Sequence, residues 1–246
     1  MLLKEFRANI LLSLPIVMGQ LGQMMMALID TKMVGALGVI PVAGCAFATS
    51  VTNIFLLIGI GFCIPVQVLV AKAYGQKRKA ECFLLLFQGI WVVIILSLAS
   101  SVIFETNKWV FSYFDQDAEV LAVSEAYMRW MIWGMLPALI FQCIKNFYEA
   151  QGTTWMPLCI LGCGVVLNIV LNAVFIYGFW LIPAYGLTGA GIATFISRLF
   201  MAILLLAILA KEVRIIRYFW HWSRVRVLRI FKIGAPSSMQ IFFERV

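Results

Sequence analysis

The residues best suited to chemistry are a few polar side chains set in long apolar runs. Asp30 is the first, in LPIVMGQLGQMMMALIDTKMVG (residues 14–35), an apolar helix candidate with Pro15 near its start. A carboxylate in a membrane helix costs about 3 kcal/mol, so its presence is read as functional unless it sits at the water interface. Counting about 1.5 Å of rise per residue from Ile10 puts Asp30 near the outer end of its segment, and both readings stay open. Lys32, two residues on, does not share its helix face and is no obvious neutralising partner.

Asn168 and Asn172 stand in LNIVLNAVF at a spacing that puts both amides on one helical face. Two side-chain carbonyl oxygens beside a carboxylate suit a hard cation. The same pair would serve equally for hydrogen bonds between helices. Farther on, GLTGAGIATFISRLF offers Gly186, Gly189, Gly191, Ala190 and Ala193 as a small-residue packing surface. Thr194 and Ser197 are its polar members, and Arg198 must pair inside a bundle or snorkel. Glu244 is a second acid in an apolar stretch, suited to exchanging a proton or accepting a metal ion, although it lies two residues before Val246. No catalytic residue is expected.

Other chemistries find little support. The six cysteines form no CxxC pair; Cys159 and Cys163, one helical turn apart, are too few for a metal site and are expected to be small buried residues with free thiols. His221 is the single histidine and lies in a basic segment, so no metal beyond a candidate Na⁺ at Asp30, Asn168 and Asn172 is expected, and no cofactor.

The elements that must position these residues are membrane helices. Hydrophobic residues make up 63% of the 246, charged residues only 12%, and mean hydropathy is +1.00. A soluble domain carries roughly 25% charged residues. The reading is an all-α polytopic bundle with six complete spans, at residues 10–33, 42–70, 83–104, 123–144, 157–179 and 187–209. A seventh apolar stretch begins near Leu228. The basic start of the chain resembles a signal peptide, but the apolar run continues past Met26 without a small-residue cleavage site, so a retained first span is expected.

The connections alternate in charge. Lys4 and Arg7 precede span one; Lys72, Lys77, Arg78 and Lys79 follow span two; Lys211, Arg214, Arg217, Arg224, Arg226, Arg229 and Lys232 follow span six. The loop between spans three and four carries Glu105, Asp115, Asp117, Glu119 and Glu125 against Lys108. Basic loops stay cytoplasmic, so the N-terminus is expected inside a cell (inner or plasma) membrane. The net charge of +8 then reflects topology and not nucleic acid. Residues 211–232, with Tyr218, Phe219, Trp220 and Trp222, read as a connector lying on anionic lipid.

A weak internal repeat completes the pattern. Leu14-Pro15 and Ala235-Pro236 each follow a basic approach, 221 residues apart, and eight residues past each proline stands a polar residue, Gln23 or Glu244. This suggests a second copy of a six-span unit, and transporters are often built of two such halves. The domains expected are a six-helix lobe at 1–210, a basic cytoplasmic linker at 211–227, and a truncated first helix of a second lobe at 228–246.

Several ordered segments together resemble the multidrug and toxic compound extrusion (MATE) antiporters, in their NorM-like bacterial branch. They are LPIVMGQLGQMMMALIDTKMVGALG, GIGFCIPVQVLVAKAYGQ, EAQGTTWMP, LNIVLNAVFIYG with GLTGAGIATFISR, and IGAPSSMQIFFE. The resemblance covers nearly the whole chain as the N-terminal half of a twelve-helix fold. It implies efflux of drugs and organic cations in exchange for Na⁺ or H⁺ by alternating access. It also implies cation or proton coupling at Asp30, Asn168, Asn172, Thr194 and Glu244, with Asn172 standing where some members carry an aspartate. The expected partners are the lipid bilayer, cationic or amphipathic drugs and the missing C-terminal lobe. A lipid-linked precursor flippase is the alternative within transport, although the spans carry few bases for a phosphate. An intramembrane enzyme is the alternative outside it, and would need a nucleophile–base pair or metal cluster of which no HExxH or GxSxG motif gives a sign.

Overall fold

The computed structural model describes residues 2–106, 117–179, 182–212 and 223–245, with side chains from Ser13 onward except those of 242, 244 and 245. The chain is a helical bundle: α1 Leu2–Gly35, α2 Val39–Gly75, α3 Lys79–Thr106, α4 Ala118–Trp133, α5 Met135–Ala150, α6 Trp155–Tyr177, α7 Gly186–Glu212 and α8 Arg224–Arg245. Within the described residues β pairing is limited to one isolated bridge, Phe179 with Ile182. Helices α2, α3, α6 and α7 are each long and apolar enough to cross a membrane.

The fourth expected span differs from expectation. Residues 123–144 fall across two 16-residue helices, α4 and α5, that meet at Gly134. Pro137 explains the break, because it has no N–H to offer the carbonyl of Trp133 one turn back. The first span is also longer than expected, a 34-residue helix that holds Pro15 in its interior.

Two cores are stacked along the bundle. One gathers Val66, Leu86, Phe87, Leu139, Phe147 and Leu205 from α2, α3, α5 and α7 toward the side of the basic loops. The other gathers Val34, Ala48, Met128, Ile132 and Ile176 toward the opposite end. Helix α1 packs chiefly on α6, where Gly19 and Gly22 face Leu158 and Leu161. Helices α6 and α7 pack most closely at Gly189, where a Cβ would run into the backbone of Phe175. Of the expected small-residue surface, Gly189 lies buried against α6 and Gly191 against Tyr127 and Trp130 of α4, whereas Gly186 starts α7 at a φ of +55° with Leu37 beside it.

Helix α8 lies along α2: Ser238 donates to the Ile58 carbonyl at 3.0 Å, and the backbone of Ser238 occupies the room left by Gly61. At its other end Arg226 grips Glu81 of α3 through two hydrogen bonds of 2.9 Å. The connector aromatics Tyr218, Phe219, Trp220 and Trp222, and His221, lie outside the described residues, as do Lys108 and Asp115.

Backbone contact at Gly189 leaves no side chain that can give way. Gly189→Val is therefore expected to destabilise the protein by about 1–3 kcal/mol. The check is its melting temperature in detergent, against Gly162→Ala, on the exposed face of α6 with open space around it, as the tolerated control.

Candidate functional site

The site is built where three helices bring polar atoms to one point. Asp30, five residues before the end of α1, turns into the bundle. The side-chain amide of Asn172 on α6 donates to its Oδ1. The same Asn172 Nδ2 donates to Asn168 Oδ1 at 3.1 Å, and both asparagines are fully buried. Thr194 on α7 reaches Asp30 Oδ2 at 3.5 Å while holding its own helix through the Ala190 carbonyl at 2.9 Å. Ser197, the other polar residue of that face, bonds back to Ala193 and does not join the cluster.

The structure thus brings Asp30 together with Asn172 and Thr194, 142 and 164 residues later in the sequence, and with Asn168 one turn from Asn172. The fifth candidate, Glu244, is on α8, but its side chain lies outside the described residues. Among the described residues two atoms of the cluster have no partner: Asn172 Oδ1 and Asn168 Nδ2 are buried without a hydrogen bond. A buried amide oxygen left unmatched beside a carboxylate is the arrangement a small cation would complete, since rotating one amide presents a second oxygen to it.

Asp30 also forms the wall of a cavity of about 690 Å³. Its lining comes from α1, α2, α4, α5, α6 and α7 and mixes methionine, leucine and isoleucine with neutral polar groups, among them Gln20, Gln23, Thr31, Thr49, Ser50, Asn53, Gln142 and Thr194. Small-molecule sites have this size and set polar anchors in an apolar wall, and the polar anchors here are numerous. Arg198 and Tyr127 line it as well, and neither was singled out as a site residue by spacing or resemblance.

A second polar group is buried elsewhere, toward the basic-loop side. Lys145 and Glu149, one turn apart on α5, pair at 3.1 Å with side chains only 4% and 5% exposed. Next to them Asn146 donates to the Cys63 carbonyl at 2.9 Å. The expected span stopped at Ile144, just before these residues. The signal available was Lys145 four residues ahead of Glu149 in an otherwise apolar run. All six cysteines are free, as expected, but only four are buried: Cys159 and Cys163 lie exposed on the outer face of α6, a correction that follows from α6 turning its asparagine face inward.

The fold and this site define a polytopic membrane protein with a hydrogen-bonded carboxylate facing an apolar cavity. A family model described as MatE matches residues 15–174, and the chain belongs to that family. Among its relatives are the multidrug resistance protein NorM of Aliivibrio fischeri, 27% identical over 98% of this chain, and that of Vibrio cholerae, 26% identical over 98%. A probable multidrug resistance protein NorM of Bradyrhizobium diazoefficiens is 29% identical over 98%. The chain spans about half the length of these relatives, 53–54%. Its fold is also that of a multidrug resistance MATE family transporter of the MOP superfamily solved in an outward-facing conformation, with a TM-score of 0.86 at 21% identity over 96% of this chain and 52% of that one. A MOP superfamily transporter from Pyrococcus furiosus matches with a TM-score of 0.85, also at 21% identity, over 96% and 52%.

Removing the donor to a buried carboxylate costs about 1–3 kcal/mol, because the acceptor then goes unmatched. Asn172→Leu should therefore melt clearly below the native protein. Asn168→Leu, which also removes an orphaned N–H, should cost less. Equal melting temperatures for the two variants would contradict this geometry.

Proposed function

We propose that this chain forms the N-terminal lobe of a cation-coupled antiporter that exports drugs and organic cations by alternating access, with Na⁺ or H⁺ as the coupling ion. The observation that carries the reading is the seat of Asp30: one carboxylate held from α6 and α7 at the wall of a small-molecule-sized cavity. The multidrug names of the relatives support the same reading, and favour transport over an intramembrane enzyme.

In this account the coupling ion and the drug meet at Asp30. A proton on the carboxylate, or Na⁺ held by Asp30 with the amide oxygens of Asn168 and Asn172 and the Thr194 hydroxyl, removes the negative charge that a cationic drug would pair with. Binding also replaces the Asn172 hydrogen bond, which ties α1 to α6, with a different set of contacts. The ion therefore has different affinity for two arrangements of α1, and that difference is what shifts the lobe between states. Glu244 would supply a second coupling group across the lobe interface.

The domain division follows. Residues 1–210 form the six-span lobe, with α4 and α5 together as its fourth span; a basic linker on the cytoplasmic face follows, and α8, which begins at Arg224 ahead of the expected boundary at 228, is the first helix of a second lobe. That second lobe, in the remaining half-length of the relatives, is the partner against which this one rocks. The N-terminus lies in the cytoplasm and the protein in the cell membrane, by the charge of the loops.

The test is drug accumulation in cells that express the complete reading frame containing this chain and lack their own exporters. Asp30→Asn, which keeps the shape and loses the charge, should cut ion-driven export roughly tenfold or more. Export at the native rate by that variant would refute the coupling role.

A further inference from the structure

Arg198 is the feature of the cavity that a site for simple cations does not explain. It lies four residues after Thr194 on α7, on the same helix face and about one turn, some 5.4 Å, farther from the outer end. Both residues line the cavity that Asp30 lines. The guanidinium reaches the break between α4 and α5: a Cβ at Gly134 would stand 3.4 Å from its Nη1. The carbonyl end of α4 is there, and the partial negative charge of a helix C-terminus helps a cation remain in so apolar a place.

That end of a helix does not use up the guanidinium. Asp30 and Arg198 line the same cavity, yet no ion pair within 4.0 Å joins them, and Arg198 makes no hydrogen bond among the described residues. A guanidinium cannot shed its charge by losing a proton, and its N–H fork matches the two oxygens of a carboxylate. Arg198 is half-buried, and a charge withdrawn from water without such a partner is costly. The cavity therefore holds one fixed positive and one negative pole, separated by more than contact distance in a wall of apolar and neutral polar residues.

We propose that Arg198 is a specificity residue that receives a substrate carboxylate, so that the cavity takes amphipathic zwitterions, ammonium end toward Asp30 and carboxylate end toward Arg198, in preference to simple organic cations. This rests on the reading of the cavity as a substrate site. An anion without a positive group fits less well, because Asp30 would repel it. When the coupling ion neutralises Asp30, the ammonium end loses its partner and only the carboxylate contact remains, which weakens the hold on the zwitterion.

The experiment compares two dyes that differ in one group: a zwitterionic rhodamine with a free carboxylate, and its methyl ester, a monocation. Binding to the purified full-length protein in nanodiscs is followed by fluorescence anisotropy for the native protein, Arg198→Met and Arg198→Lys. The native protein should bind the acid more tightly than the ester. Arg198→Met should lose roughly tenfold on the acid and nothing on the ester, whose retained binding reports that the variant is folded. Arg198→Lys should recover part of the loss, since it restores the charge without the fork. An acid-to-ester ratio that Arg198→Met leaves unchanged, or equal loss on both dyes, would overturn the proposal while leaving the substrate cavity in place. Failure of the native protein to bind either dye would overturn both the cavity reading and this one.

Discussion

A charge inside a lipid-facing bundle has to be answered by the protein, and the way Asp30 is answered organises this lobe. Helix α1 has little else to orient it. Its apolar residues Val17, Leu21, Met25 and Leu28 are exposed, and its contact with α6 runs over the small surfaces of Gly19 and Gly22. The Asn172 donor to Asp30, together with the Tyr177 hydroxyl bonded to the Met33 carbonyl at 2.8 Å, fixes which face of α1 looks inward. Anything that changes the charge of Asp30 acts on the least firmly packed helix of the lobe.

The rest of the architecture follows from keeping polar groups satisfied at separate depths. Two apolar cores hold the ends of the bundle, and the cavity with its polar seat borders both. On the basic-loop side Lys145 and Glu149 neutralise each other within one turn of α5, and Asn146 ties that turn to α2. A buried pair of this kind is weak evidence for stability, since desolvation offsets most of the attraction, but removal of one partner alone is costly. Glu81 and Arg226 join α3 to α8 near the polar surface. The basic-loop side of the bundle is thereby joined by ion pairs, whereas α1, along the cavity wall, is tied to its neighbours by its packing on α6 and a few hydrogen bonds.

Much of this was legible in the sequence because membrane helices announce themselves through long apolar runs, and because each polar residue inside one stands out. Asn168 and Asn172 lie on one face by spacing alone, and the structure puts that face against Asp30. Spacing could not say that Asp30 turns inward, because residues near a helix end meet water as readily as protein. The break at Gly134 was hidden since hydropathy runs on across it; only Pro137 hinted at it. Lys145 was missed because it sits one residue past the expected edge of a span. Arg198 was visible as an anomaly, and only the cavity gives it a use.

Carbodiimide labelling of Asp30 tests the central claim, that this carboxylate is the point where ion and drug meet. The reagent reacts with buried carboxyls, and the modified peptide can be counted by mass spectrometry on the full-length protein. Asp30 should be labelled when the cavity is empty, and a cationic drug should protect it whereas a neutral amphiphile of equal size should not. An Asp30 labelled at the same rate with either compound would contradict the account.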